Sequence, residues 1–194
     1  MQALERIALD ADNALLTASL PVELLPNDAT FETFWSMHPE HYHEVRIHGR
    51  VLPTPRWQQA YGRSYIYSGF QNNALPMPGC WQPYASWCQE QIDARLNGLL
   101  VNWYDAAHGH YIGKHRDSPN GLIADAPIVT ISLGATRTFR LRPWQGSGYL
   151  DFTARHGSVF VLPAATNRAW THEVTKKKSD QGRRISLTFR AFAD

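Results

Sequence analysis

The segment Arg184-Ile185-Ser186-Leu187-Thr188-Phe189-Arg190 restricts what this chain can fold into more than any other stretch. Its polar and apolar residues alternate one by one, which is the period of a β-strand whose successive side chains point to opposite faces. Arg184, Ser186, Thr188 and Arg190 share one face, and Ile185, Leu187 and Phe189 share the other. The apolar face belongs against a core. Two arginines on the opposite face are costly to bury unless an anion meets them. A small dicarboxylate such as 2-oxoglutarate would supply that anion through charge-assisted hydrogen bonds, bidentate where the geometry allows.

The same two-residue period makes His115-Arg116-Asp117 informative. In an extended segment His115 and Asp117 point to one side, so an imidazole and a carboxylate meet at one point. A third ligand from a distant strand, His172, would complete a set of two histidines and one carboxylate. Such a set leaves coordination positions open and suits non-haem Fe(II). Zinc accepts the same three groups, so ligand type alone leaves the metal open. His41-Tyr42-His43 offers another same-face histidine pair, but no carboxylate stands at a matching position, and we read it as surface or strand-edge polarity. In Asn102-Trp103-Tyr104 an amide and a phenol share one face, with Trp103 on the other.

Around these motifs the chain reads as mainly β. Short strands separated by turns are expected at 99–104, 111–114, 128–133, 138–141, 149–152, 158–162, 171–174 and 185–192. Spacing of this kind points to a sandwich or barrel. Upstream, residues 1–27 read as short extended pieces, and Asp28 would cap a helix through Phe31, Phe34 and Trp35. After a loop rich in proline and glycine, Tyr84, Trp87, Cys88, Gln91, Ile92 and Leu96 follow helical spacing, with Asn97-Gly98 as the stop. That helix would buttress a sheet. With 194 residues, 43% of them hydrophobic, and no repeat or linker, we expect a single domain over 1–194. Cys80 and Cys88 sit too far apart along a helix to pair.

These pieces, in this order, resemble the AlkB family of Fe(II)/2-oxoglutarate dioxygenases. The resemblance is carried by Asn102-Trp103-Tyr104, His115-Arg116-Asp117, Ala126-Pro127-Ile128-Val129 running into Ser132-Leu133-Gly134, His172 and the Arg184–Arg190 strand. Upstream, Pro55-Arg56-Trp57, Ala60-Tyr61-Gly62 and Tyr65-Ile66-Tyr67-Ser68 resemble the substrate-side lid, here 55–70. The resemblance implies a double-stranded β-helix, or jelly-roll, core over 99–192, buttressed by a few helices. It implies Fe(II) held by His115, Asp117 and His172, the catalytic centre, with 2-oxoglutarate and O2 as cosubstrates. Arg184 would take the distal carboxylate of 2-oxoglutarate, assisted by Asn102 and Tyr104. Ser186 stands where many relatives have asparagine, keeping a hydrogen-bonding group, and Arg190 would lie nearer the keto-acid end. Arg56, Tyr61 and Tyr65 would contact the substrate, while Tyr67 packs internally. The reaction implied is oxidative N-dealkylation of a nucleobase in DNA or RNA, as in alkylation damage repair.

Other features bear on the substrate. Asp117 is followed by Ser118-Pro119-Asn120, where nucleobase dealkylases of the family often carry acids. The net charge of +2 gives no broad grip on nucleic acid, so local clusters matter more. Lys176-Lys177-Lys178 with Arg183 and Arg184 is either a phosphate-facing patch or a solvated hairpin tip. Arg137, Arg140 and Arg142 form a second candidate patch. The alternatives are a dioxygenase acting on a non-nucleic-acid substrate, or a non-catalytic cupin-like binding module. With no bilayer-length apolar segment and no signal pattern at the start, we expect a cytoplasmic protein, a monomer, that engages nucleic acid and no membrane.

Overall fold

The computed structural model describes residues 4–47, 49–67 and 70–193, without the side chains of residues 47, 66, 67, 70 and 71. In chain order the strands are β1 (Glu5–Ala8), β2 (Ala14–Ser19), β3 (Glu44–Ile47), β4 (Arg50–Pro53), β5 (Trp57–Tyr61), β6 (Tyr65–Tyr67), β7 (Phe70–Asn72) and β8 (Ala74–Leu75). They continue with β9 (Gly98–Asp105), β10 (Ile112–His115), β11 (Ile128–Gly134), β12 (Arg137–Pro143), β13 (Leu150–Ala154), β14 (Ser158–Leu162), β15 (Trp170–Val174) and β16 (Arg183–Arg190). Three α-helices interrupt them: α1 (Asp28–Trp35), α2 (Gln82–Gln91) and α3 (Ala164–Ala169).

The eight strands expected after residue 98 are all present, within two residues at nearly every end. One eight-stranded sheet runs β1-β2-β14-β11-β16-β9-β5-β8 and a four-stranded sheet runs β10-β15-β12-β13, the two layers of the expected jelly-roll. Alternation decides what each face of the larger sheet meets. Val101, Trp103, Val129, Ile131, Leu133, Ile185, Leu187 and Phe189 pack against Phe34, Trp35, Trp81, Tyr84, Ala85 and Cys88 of the helical layer. The other face turns toward the smaller sheet. Leu15, Ile128, Phe139, Leu141, Phe160, Leu162 and Trp170 close one end of the space between them. The remainder stays open as a cavity of about 570 Å³.

The helices depart from expectation in three places. Asn27, not Asp28, caps α1, its side chain accepting the Thr30 N–H at 2.9 Å. Asp28 becomes the first helical residue, where its charge favours the positive helix end. Second, α2 ends at Gln91, well short of Leu96. Asn97 does not stop it: its amide bonds the Phe192 backbone at 2.9 and 2.8 Å. Gly98 opens β9, where a Cβ would run into the Phe192 ring. The glycine signal therefore marks a close approach between distant segments. Third, α3 intervenes between β14 and β15, where only a turn was expected. Cys80 and Cys88 are free thiols, as their spacing implied.

Candidate active site

β10 and β15 pair antiparallel with His115 opposite His172, so two residues far apart in sequence become cross-strand neighbours, with ring centroids 4.2 Å apart. Asp117 follows where the chain leaves β10. Its Oδ1 lies 3.7 Å from His115 Nε2 and 3.9 Å from His172 Nε2. One ligand atom from each residue falls within 4.8 Å of the others, the one such cluster among the described residues. His41 and His43 take no part in it.

The surroundings prepare these atoms for a cation. His115 Nδ1 donates to the Gly113 carbonyl at 2.8 Å, which leaves Nε2 as the lone-pair nitrogen facing Asp117. Burial lowers the His115 and His172 pKa values, His172 to about 3, so both rings are neutral and able to ligate. Burial works against the charge on Asp117, but the Arg190 guanidinium bonded to it outweighs burial and holds the carboxyl well below the usual carboxylate range. Arg190 Nε and Nη2 both reach Asp117 Oδ2, at 2.8 and 2.7 Å, and leave Oδ1 for the histidine side. Asn167, on α3, fixes the backbone of the same residue: its Oδ1 accepts the Asp117 N–H and its Nδ2 donates to the Asp117 carbonyl, both at 3.1 Å. A charged carboxylate and two neutral imidazoles converging this closely fit a divalent metal.

At the other end of β16, Arg184 is 0% exposed. Its Nε donates to Ser132 Oγ at 2.8 Å, whereas Nη1 and Nη2 are buried without a hydrogen-bond partner. Tyr104 stands opposite Arg184 across the strand pair, its ring centroid 5.1 Å from the guanidinium carbon. Burial pushes the Arg184 pKa down, and the Tyr104 phenol is the neighbour that opposes the shift. A buried guanidinium with two free edges calls for an anion. Asn102 stands opposite Ser186, and its Oδ1 accepts from Arg56 Nε at 2.7 Å, so its Nδ2 is the group left to donate. Arg56, Asn102, Tyr104, Arg184 and Ser186 line the same cavity as the two histidines and Asp117, together with the apolar walls Leu100, Phe139 and Val174.

The expected substrate residues divide. Tyr65 lines the cavity with its ring 4.6 Å from the Arg190 guanidinium carbon. Arg56 also lines it, but is buried and bonded to Asn102. Tyr61 does not line it: the ring is 4% exposed within the helix-side core, so it cannot stack on a base. The reason is parity. Tyr61 falls on the same side of β5 as Trp57, while Ala60 packs with Tyr65 and Leu100. The Tyr67 side chain lies outside the described residues.

The second arginine patch also needs correction. Arg137 is buried, its Nη1 and Nη2 donating to backbone carbonyls of Thr136, Gln181 and Gly182. Arg140 is bonded by Asp151 and Arg142 by Glu173, partners that neutralise both. Arg183 pairs with Glu32. The lysine run lies in the connection from β15 to β16, where Lys177 Nζ donates to Thr138 Oγ1 at 2.6 Å. Ser132 and Asn167 were not picked out for the roles they take here. Nothing local marks them, because each acts on a residue about fifty positions away.

Comparison with known proteins agrees with this arrangement. A model of the 2OG-Fe(II) oxygenase superfamily matches residues 16–190. DNA oxidative demethylase ALKBH2 of Homo sapiens is 29% identical over 161 residues, covering 75% of this chain and 60% of the relative. The Mus musculus protein of the same name is 30% identical over 162 residues, covering 76% and 66%. Alpha-ketoglutarate-dependent dioxygenase alkB homolog 3 of Rattus norvegicus is 31% identical over 152 residues, covering 72% and 51%. The matched region thus spans between about half and two thirds of the length of these relatives. Among solved structures, OsALKBH1 shares the fold at a TM-score of 0.65 and 14% identity, covering 97% of this chain and 99% of that one. With a family match running from the second strand to the last arginine of β16, the chain belongs to the 2OG-Fe(II) oxygenase superfamily, within its AlkB family.

Proposed function

We propose that this chain oxidatively removes N-alkyl groups from nucleobases in DNA or RNA, acting as one catalytic domain with residues 55–70 as its substrate-side lid. The family resolves the metal left open by ligand type: iron, with 2-oxoglutarate and O2. The observation that carries the reading is the polarity of the cavity. One end gathers two neutral imidazoles and a carboxylate, and the other holds a buried guanidinium with two free nitrogens. The relatives named DNA oxidative demethylase supply the substrate class.

In this reading His115, Asp117 and His172 hold the iron. When bound, iron with 2-oxoglutarate and O2 supplies oxidation of the alkyl carbon, yielding succinate, CO2 and an aldehyde on release of the free base amine. The residues of the chain do the positioning. Arg184 takes the distal carboxylate of 2-oxoglutarate, with the Tyr104 phenol and the Asn102 amide completing its contacts and Ser186 beside them. Arg190 serves the keto-acid end indirectly, by fixing which oxygen Asp117 turns to the metal. Leu100, Phe139 and Val174 keep water from the reacting end, which strengthens each charge-assisted contact. Tyr65 faces the substrate base, and Arg56 ties the lid to Asn102 rather than to phosphate. A base in duplex must be flipped out to enter.

No described helix is long and apolar enough to cross a membrane. We place the protein in the cytoplasm as a monomer. The deciding experiment measures formaldehyde release and 2-oxoglutarate consumption across N-methylated oligonucleotides, nucleosides and non-nucleic-acid amines. Release coupled to consumption with methylated nucleic acid is the expected result. Turnover stimulated only by a non-nucleic-acid amine would replace the substrate class, and absence of any 2-oxoglutarate turnover would leave a binding module.

A further inference from the structure

We infer that Trp144, with Arg116 and Arg168, forms a docking ledge beside the cavity mouth on which the base adjoining the oxidised nucleotide stacks, so that the enzyme takes its substrate as a single strand. This deepens the nucleobase reading above and rests on it. Trp144 follows the end of β12 and is 52% exposed, an unusual placing for the largest apolar side chain. It is not loose: its backbone N–H donates to the Ala169 carbonyl at 2.8 Å. The Arg116 guanidinium carbon sits 3.9 Å from the centroid of its ring. Arg116 lies between two of the proposed metal ligands and lines the cavity, so the indole stands one side chain away from the mouth.

The charges on this ledge differ from those farther along the same sheet. Arg116 Nη1 donates to the Arg168 carbonyl at 2.7 Å, and Arg168 Nη1 donates to the Ala124 carbonyl at 3.2 Å. Among the described residues neither guanidinium has a carboxylate partner, whereas Arg140 and Arg142 beside Tyr149 are bonded by Asp151 and Glu173. The cations near the mouth therefore keep their charge for phosphate, and the indole keeps part of its surface for a base. In a duplex each base is already stacked on its neighbours. An unpaired strand, by contrast, can lay a base on Trp144 while its phosphate meets Arg116 or Arg168.

The test compares wild type with Trp144→Ala, Trp144→Tyr and Arg168→Gln. The same N-methylated base is offered as a nucleoside, in a single-stranded oligonucleotide and in a duplex. Trp144→Ala should raise KM for the single strand by about fivefold or more while leaving KM for the nucleoside and for 2-oxoglutarate unchanged. Trp144→Tyr should recover most of the loss, and Arg168→Gln should lower the salt slope of binding by about one. Equal effects on nucleoside and single strand, or none on either, would overturn the ledge. Should no methylated base be oxidised at all, the fault lies with the nucleobase reading. Binding of an unmodified single strand then tests the ledge by itself, and equal affinity in wild type, Trp144→Ala and Arg168→Gln overturns it.

Discussion

Arg184 and Arg190 occupy the same face of one strand, both buried, yet their surroundings are opposite. Arg190 is bonded to one oxygen of Asp117. Arg184 has one hydrogen bond to a neutral hydroxyl and two buried nitrogens with none. One arginine thus orients a carboxylate of the chain itself, whereas the other, in the proposed function, awaits a carboxylate brought in from outside. Identical residue type, burial and strand position do not imply the same role. What separates the two is whether the fold supplies the anion.

The largest effect should come from removing that supplied anion or its histidine partners. His115→Ala, Asp117→Ala and His172→Ala should each abolish 2-oxoglutarate turnover, read as succinate formed, while a His41→Ala/His43→Ala double variant keeps it. Iron lost from the double variant and retained by His115→Ala would move the site.

Next come the arginines themselves, where the contrast is most exposed to test. Arg190→Met leaves the Asp117 carboxylate buried and without its cation, which should cost about 3 kcal/mol in urea unfolding of the metal-free protein and weaken Fe(II) binding. Arg184→Met removes a buried cation that has no counter-ion, so stability without 2-oxoglutarate should stay within about 1 kcal/mol of wild type. Its KM for 2-oxoglutarate should instead rise by roughly ten- to a hundredfold, and the rise in melting temperature on adding 2-oxoglutarate should vanish. Similar stability losses in both variants would erase the distinction.

The two tyrosines sharpen the comparison between cavity face and helix face. Tyr61→Ala should destabilise by about 3 kcal/mol, as a large ring lost from a core does, with KM for the substrate unmoved. Tyr65→Ala should raise the substrate KM by several fold. A substrate effect at Tyr61 with no loss of stability would reverse the faces.

The smallest effect is a pH dependence that involves neither arginine directly. His110 Nδ1 accepts the Asp105 N–H at 3.1 Å, and Nε2 meets the Tyr42 hydroxyl at 2.9 Å. Burial first, then the neighbouring His108 charge, pushes the His110 pKa down to about 4. An unfolded histidine titrates near 6.5, so between about pH 6.5 and 4 the unfolded chain binds the extra proton. This contribution to stability is complete above about pH 6.5 and is lost as the pH falls through that window. Urea midpoints at pH 7, 5.5 and 4.5 should show the decline in wild type and in both arginine variants, and a shallower one in His110→Gln.

Much of this was legible in the chain. Alternation in Arg184–Arg190 set which residues share a face, and the i,i+2 spacing of His115 and Asp117 set two ligands together. Strand boundaries after residue 98 followed closely from hydrophobic runs and turns. Those are properties of the backbone over a few residues, where pleat and turn chemistry act alone. Tyr61 shows the limit: it shares one side of a five-residue strand with Trp57, and nothing within that strand shows which layer the side will face. The helix stop inferred at Asn97-Gly98 failed for a similar reason, since its glycine answers to Phe192 rather than to a helix end.

By itself, then, the sequence determined the strands after residue 98, their two-faced character and which three residues are candidate metal ligands. Only the tertiary structure decided that Arg190 meets Asp117, that Asn167 holds the Asp117 backbone, that Arg140 and Arg142 are neutralised, and that Arg184 is left without an anion. Each of those outcomes depends on a partner brought near by strand pairing or by the packing of one sheet on the other. Coulombic and hydrogen-bond energies fall off within a few ångströms, so they are settled by which atoms become neighbours, and local pattern does not carry that information.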